Sequence, residues 1–378
     1  GLNLVFFKMF YLYRVDITSY KTIWCGMNKT QEIKSVLPQG HPNIPKEKVG
    51  VLLINLGTPD ATDFWSIRRY LKEFLSDRRV IEVNPILWKL ILNLIILNVR
   101  PNIAGKAYKE VWVSETDESP LRLHTRNQSE GLQSHFEKMG ISLVVDWAMR
   151  YGNPSIEEKL ESMQSAGCRK ILLLALYPQY SATTTATAYD KAFDSLSKMR
   201  WQPAIRTAPA YPDDPVYIKS LAESVRSHIS MLDWEPEILL TSFHGLPKRY
   251  LTAGDPYHCH CLLTSRLLGE ELGWGDGKVS VAFQSRFGRE EWLKPYMQNV
   301  VEELPMNGIK NVAVISPGFV SDCVETLEEV AIGLRDSFYE AGGTNFTFIP
   351  CLNSDVGGLK VLETQILKEL EGWIPKRD

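Results

Sequence analysis

The sequence predicts an α/β protein built from two similar Rossmann-like, doubly wound domains, each a parallel sheet flanked by helices, with a cleft between them. Three observations carry that reading. Nearly continuous apolar runs of strand length, such as residues 49–56 and 170–176, alternate with helical stretches, as strands buried on both faces do. Each run stops at a turn marked by glycine or proline. The same strand–turn grammar also appears twice: residues 238–245 mirror 51–57, and 312–315 mirror 171–174. Strands alternating with helices point to crossover units and parallel sheets.

Taken in order, residues 1–26 are apolar but broken by Lys8, Arg14 and Asp16, and they lack the basic start and cleavage site of a signal peptide. Met27 reads as a start, so residues 1–26 are expected to be upstream or poorly ordered sequence and 1–47 an N-terminal extension. A loop with Pro42 and Pro45 leads into strand 49–56, which ends at Gly57-Thr58-Pro59. Asp63 is a candidate N-cap for a helix starting at Phe64. Residues 85–97 are nearly all apolar, yet shorter than the ~20 residues a bilayer crossing needs. They read either as a buried core helix or as an exposed rim touching a membrane or an apolar ligand.

Residues 100–112 and 121–139 read as helices, and 143–149 as a strand ending at Arg150-Tyr151-Gly152. Helix 155–166 is stopped by Gly167. Strand 170–176 ends at Tyr177-Pro178-Gln179-Tyr180-Ser181, and the Thr/Ala-rich run 182–188 opens another helix. In the second half, strand 237–241 runs into Ser242-Phe243-His244-Gly245-Leu246-Pro247, and helix 290–304 and strand 312–315 follow. The last helix, 359–370, is expected to pack back on the first domain. The expected division is 48–167 plus 355–378 for the first domain and 168–354 for the second.

Composition narrows the function class. Over 378 residues, 44% hydrophobic and 23% charged content is that of a soluble globular protein. A net charge of −3 without a Lys/Arg block gives no pull toward nucleic acid. Six scattered cysteines form no disulfide framework and suit a reducing compartment. Their only cluster, His258-Cys259-His260-Cys261, reads as an exposed loop or, on a weak C-x-C signal, as metal ligation.

Two features offer chemistry. His244 stands at the carboxyl end of a strand, where ligands collect in open α/β sheets. Asp322, Glu325 and Glu329 follow strand 312–315 at helical spacing, as a solvated face or as a row entering the cleft. A histidine converging with a carboxylate binds a divalent cation or supplies a tuned base. No G-x-S-x-G, G-x-G-x-x-G or P-loop is present, which disfavours a hydrolase triad and nucleotide binding.

Four motifs, Leu53-Ile54-Asn55-Leu56-Gly57-Thr58-Pro59, Tyr177-Pro178-Gln179-Tyr180-Ser181, Ser242-Phe243-His244-Gly245-Leu246-Pro247 and Ser321-Asp322-Cys323-Val324-Glu325-Thr326-Leu327, together resemble ferrochelatases, in that family's order, from about Lys48 to the last helix. The resemblance implies a chelatase-like fold and insertion of Fe2+ into protoporphyrin IX to form protohaem. It implies that His244 and Glu325 handle pyrrole protons and metal, with Asp322 and Glu329 as a metal or proton path. It places porphyrin against Asn55, Leu56, Arg100, Tyr108, Ser119, Arg150, Tyr151, Tyr177, Gln179, Tyr180 and Ser181. Arg100, Tyr108 and Ser119 match positions that meet propionates. It reads residues 84–99 as a hydrophobic lip, with Ile86, Leu87, Trp88 and Leu92, that admits an apolar porphyrin and rests on a membrane.

The implied partners are protoporphyrin IX, ferrous iron and an upstream porphyrin-supplying enzyme, for a monomer or homodimer with no nucleic acid. The implied location is cytoplasmic and peripheral on an inner membrane of bacterial type rather than the mitochondrial matrix face. Cys323 stands where animal relatives carry histidine, a thiolate that could still bind iron or zinc. Ala182 replaces the cysteine of iron–sulfur members, so no cofactor is expected and a [2Fe–2S] cluster is expected to be absent. Alternatives are a coproporphyrin or cobalt chelatase, or a non-catalytic tetrapyrrole carrier.

Overall fold

The computed structural model describes residues 39–41, 44–275, 277–288 and 290–375. The expectations for residues 1–26, and for most of the extension, lie outside the described residues. From Glu47 onward the chain is one compact unit holding two parallel four-stranded sheets. The first has order β2-β1-β3-β4, from β1 (Lys48–Gly57), β2 (Leu143–Tyr151), β3 (Cys168–Ala175) and β4 (Ala204–Thr207). The second has order β6-β5-β7-β8, from β5 (Ile238–His244), β6 (Val279–Gln284), β7 (Asn311–Ile315) and β8 (Asn345–Ile349).

The two orders are the same topology repeated, so the doubly wound fold holds and β5 corresponds to β1 and β7 to β3. The expected boundary at residue 168 does not hold. β3 pairs directly with β1 and carries β4 beside it, so residues 168–207 belong with the first sheet. The halves are not separate cores either. Alternate positions of the central strands, Val51, Leu53, Leu172, Leu174, Leu239, Ala313 and Ile315, join one buried cluster with Phe136, Tyr217, Leu221 and Ile366. The positions between them face the other way: Leu52, Ile54, Ile171 and Leu173 pack on Leu160, Met163 and Ala192, while Leu240, Val312 and Val314 pack on Val301, Val330 and Phe338. Strand alternation thus sends one side chain in two to a core shared by both sheets. The last helix (Val356–Glu369) lines that core through Val361, Leu362 and Ile366.

Local signals explain the ends of the elements. Asp63 Oδ1 accepts from the Trp65 and Ser66 amides at 2.9 and 3.2 Å, capping helix Phe64–Leu75 as expected. Gly57 has φ +122°, and a Cβ there would lie 1.9 Å from the Tyr151 carbonyl, so only glycine lets β1 leave the sheet beside β2.

The apolar run 85–97 is the first part of a longer, continuous helix, Pro85–Val111, long and apolar enough by length and composition to cross a membrane. The run alone looked too short because its helix continues past Pro101. Its placement is one-sided. Leu92, Leu97, Pro101, Gly105 and Tyr108 are buried, while Ile86, Leu87, Leu90, Leu94, Ile95, Val99 and Ile103 are exposed. Each reading of the run describes one side of it: the helix has a core face and an exposed apolar outer face. Leu92, expected on the lip, is only 2% exposed and belongs to the core face. Trp88 is anchored by its indole N–H, which donates to the Leu75 carbonyl at 2.7 Å.

Candidate active site

The strand ends of the second sheet build the site. His244 closes β5 and lies in register with Gln284, which closes β6. Its Nδ1 is 2.7 Å from the Gly245 carbonyl oxygen. A carbonyl only accepts, so the bond places a proton on Nδ1, and in the neutral ring Nε2 is then the nitrogen with the lone pair. Gly245 is obligatory, because a Cβ would lie 2.7 Å from the Gln284 carbonyl and 3.1 Å from the Trp292 ring.

Gln284 ties the histidine strand to the acidic helix. Its amide donates to the Glu325 carbonyl at 2.8 Å and to Glu329 Oε2 at 3.4 Å, while Ser242 Oγ donates to its carbonyl at 2.5 Å. Ser285, at φ +63°, also bonds Glu329. Burial and then the charge of Glu325 push the Glu329 carboxyl up, and Ser285, His244 and Gln284 pull it back. Burial, Glu110 and Glu325 likewise raise Glu328. Glu325 also acts on Tyr70 and Tyr108, whose hydroxyls are raised chiefly by burial. His244, Glu325 and Glu329 therefore share one neighbourhood at the edge of an aromatic wall.

Asp322 does not join them. It precedes the helix, and its oxygens accept from Thr326 Oγ1 (2.9 Å), Asn353 Nδ2 (2.7 Å) and the Cys351 amide (3.3 Å). That carboxylate is a structural tie, which corrects its expected place on a metal or proton path. The i, i+3, i+7 spacing misled because residues 327–334 are π-helical and Cys323 is the cap. Burial and then Glu325 push the Cys323 thiol well up, which favours the protonated side chain in the metal-free protein.

The expected porphyrin residues divide in two. Asn55 and Ser119 are spent internally: Asn55 donates to Thr125 at 2.9 Å, and Ser119 caps helix Pro120–Lys138. Arg150 donates to Asp77 at 2.6 Å and to Thr187, and the Tyr151 hydroxyl donates to Asp77 at 2.7 Å. Ser181 bonds Asp255 at 3.0 Å, and Tyr108 is buried against Tyr70 and Trp112. The others keep capacity. Leu56 and Tyr180 are half-buried, while the Tyr177 hydroxyl and Gln179 Oε1 are buried without a partner. Arg100 is exposed and lies 4.4 Å over the Phe287 ring. A cavity of about 590 Å³ opens over Asp77 and Arg150, lined by pairs such as Arg79 with Asp190, and neither His244 nor Glu325 lines it.

Among the described residues no group of three or more His, Cys, Asp or Glu side chains could hold a metal ion. Cys259 and Cys261 lie in helix Tyr257–Leu272, one exposed and one buried, so neither the loop nor the metal reading of that motif stands.

The ferrochelatase family model matches residues 48–370. The chain belongs to the ferrochelatase family. It is 57% identical over 338 residues to the ferrochelatase of Allorhizobium ampelinum, covering 89% of this chain and 98% of that one. The ferrochelatase of Agrobacterium fabrum is 56% identical over 340 residues, covering 90% and 98%. In structure the chain is similar to SirB from Bacillus subtilis with Fe3+, at TM-score 0.51 and 13% identity, over 85% of this chain and 95% of that one, a likeness of fold alone. As a ferrochelatase the protein is a metal chelatase, a lyase of haem biosynthesis.

For a ferrochelatase, the residues that sequence reasoning missed are instructive. Gln284 and Ser285 link the histidine to the acidic helix, and Asp77 gathers Arg150, Tyr151 and Thr187. The available signal for Gln284 was a polar residue ending an apolar strand, the position His244 holds on the neighbouring strand.

Proposed function

We propose that this ferrochelatase inserts Fe2+ into protoporphyrin IX at the edge between His244 and the Glu325–Glu329 helix, with those side chains managing the protons that leave. Insertion must remove two pyrrole N–H protons while a dication enters. The observation that carries the reading is the His244 Nδ1–Gly245 hydrogen bond at 2.7 Å. It supports the tautomer whose Nε2 can act as a base or a ligand. Glu325 supplies the complementary negative charge. Glu329, raised by burial and by Glu325, is suited to receive and pass protons. Iron is a substrate here, met by His244 and Glu325 together with the macrocycle nitrogens.

The macrocycle would lie against the tyrosine wall, with the Tyr177 hydroxyl and Gln179 Oε1 offering a donor and an acceptor. Arg100 is the exposed cation for a propionate, in a bidentate fork. The exposed row Ile86, Leu87, Leu90, Leu94, Val99 and Ile103 favours the less carboxylated protoporphyrin and a lip lying in a membrane surface, since the helix's other face is committed to the core. We place the protein in the cytoplasm, peripheral on an inner membrane, as a monomer or homodimer fed by a porphyrin-supplying enzyme. The chemistry needs no resident cofactor, and iron analysis of the purified protein against a no-cluster expectation tests that part.

The deciding experiment is an insertion assay with protoporphyrin and coproporphyrin side by side, followed by loss of porphyrin fluorescence with Fe2+. Protoporphyrin should be preferred and His244→Ala should abolish turnover. Undiminished turnover in His244→Ala, or preference for coproporphyrin, would overturn the respective part.

A further inference from the structure

The motif His258-Cys259-His260-Cys261 is not used by the chemistry above, yet one of its residues holds the loop that carries Tyr177 and Gln179. Four consecutive residues of that loop, which follows β3 of the first sheet, bond to the segment 255–264 that follows β5 of the second. Gln179 Nε2 donates to Thr264 Oγ1 at 2.9 Å. The Tyr180 amide donates to His260 Nδ1 at 3.2 Å. Ser181 Oγ and the Ala182 amide donate to Asp255 Oδ2 at 3.0 and 2.8 Å. Asp255 Oδ1 meanwhile accepts from the Tyr257 amide at 3.0 Å, fixing the start of the helix. The same loop presents the Tyr177 hydroxyl and Gln179 Oε1, buried and unpartnered.

We infer that His260 and Asp255 are positioning residues for porphyrin binding, which clamp the loop 177–182 from the opposite half so that Tyr177 and Gln179 are held ready for the macrocycle. The inference rests on the porphyrin reading of the cleft. A backbone amide that loses a buried acceptor either stays unpaired or moves to find water. Because successive residues are each held, losing one tie shifts its neighbours, and a flat rigid ligand registers a small displacement. The bond to Tyr180 needs an unprotonated Nδ1. Burial lowers the His260 ring, opposed by Asp213 and Asp255, so the accepting form persists at neutral pH.

The test uses the full chain and compares His260→Ala with His260→Asn, whose Oδ1 takes the place of Nδ1 as acceptor. His260→Ala should raise KM for protoporphyrin, and the Kd read by porphyrin fluorescence without metal, by about five- to tenfold, the size of one buried hydrogen bond. The value of kcat should change less than KM. His260→Asn should restore both constants toward wild type. Equal constants for Ala and Asn, or a fall in kcat at unchanged KM, overturn the inference. Failure of the wild type to insert metal would instead refute the insertion reading, and the metal-free Kd would still judge the clamp.

Discussion

The lip helix offers a prediction in which Leu92 and the two leucines flanking it two positions away, Leu90 and Leu94, give opposite results. Leu94 is 70% exposed and Leu90 55% exposed, whereas Leu92 is 2% exposed. Burying a leucine side chain fully is worth about 2 kcal/mol. Scaled by their free surface, Leu90 and Leu94 together would contribute about 2.5 kcal/mol to lying in a lipid surface, or about 60-fold in partitioning. The double variant Leu90→Ser/Leu94→Ser should therefore lose about 60-fold in liposome cosedimentation while its urea midpoint stays put. Leu92→Ala should do the reverse, costing about 2–5 kcal/mol of stability for the cavity it leaves, with unchanged partitioning of the folded fraction. Unchanged partitioning of the double variant at full stability would refute a membrane role for the outer face. A stable Leu92→Ala would refute the assignment of the inner one.

Glu325→Gln should lower kcat by about 10²-fold, the scale of a lost acid–base group. It should also move the acid limb of the pH–rate profile to lower pH, because the raised Glu329 carboxyl loses its charged neighbour. A limb that stays in place would show that Glu329 does not gate the rate. Asp77→Ala should destabilise the fold by about 3 kcal/mol by removing the buried carboxylate that pairs Arg150 and accepts from Tyr151 and Thr187, read by chemical denaturation at pH 7. Although burial opposes it, the bonds from Thr187, Tyr151, Arg79 and Arg150 hold the Asp77 carboxyl below its ordinary value. Its stabilisation is therefore present above the unfolded-state pKa and lost as pH falls through the lower folded one. In Asp77→Ala the stability should accordingly fall less on acidification than in wild type.

What the chain reveals without coordinates follows from burial. β1, β3, β5 and β7 are interior strands with both faces covered, so they read as unbroken apolar runs. β4, β6 and β8 are edge strands, and Ala204-Ile205-Arg206-Thr207 or Asn345-Phe346-Thr347-Phe348 mixes polar residues into the pattern. Missing β6 meant missing Gln284. The places of His244 at a strand end and of Glu325 at a helix start were legible through their motifs, but Asp322 lies ahead of the helix that the spacing assumed had already begun. The domain boundary failed for a deeper reason: repetition marks where topology restarts, not where packing divides, and here one core serves both sheets.

That shared core has a mechanical consequence. Jaws that close around a hinge need halves whose interiors are independent, because close-packed interiors do not shear freely. Val51 and Leu53 of one sheet and Leu239 and Ala313 of the other belong to the same packed mass, so the protein is a vise of fixed gauge rather than a clamshell. Any bending of a stiff macrocycle must be borne by the loops at the mouth, and a cross-link tying the sheets together should leave turnover intact.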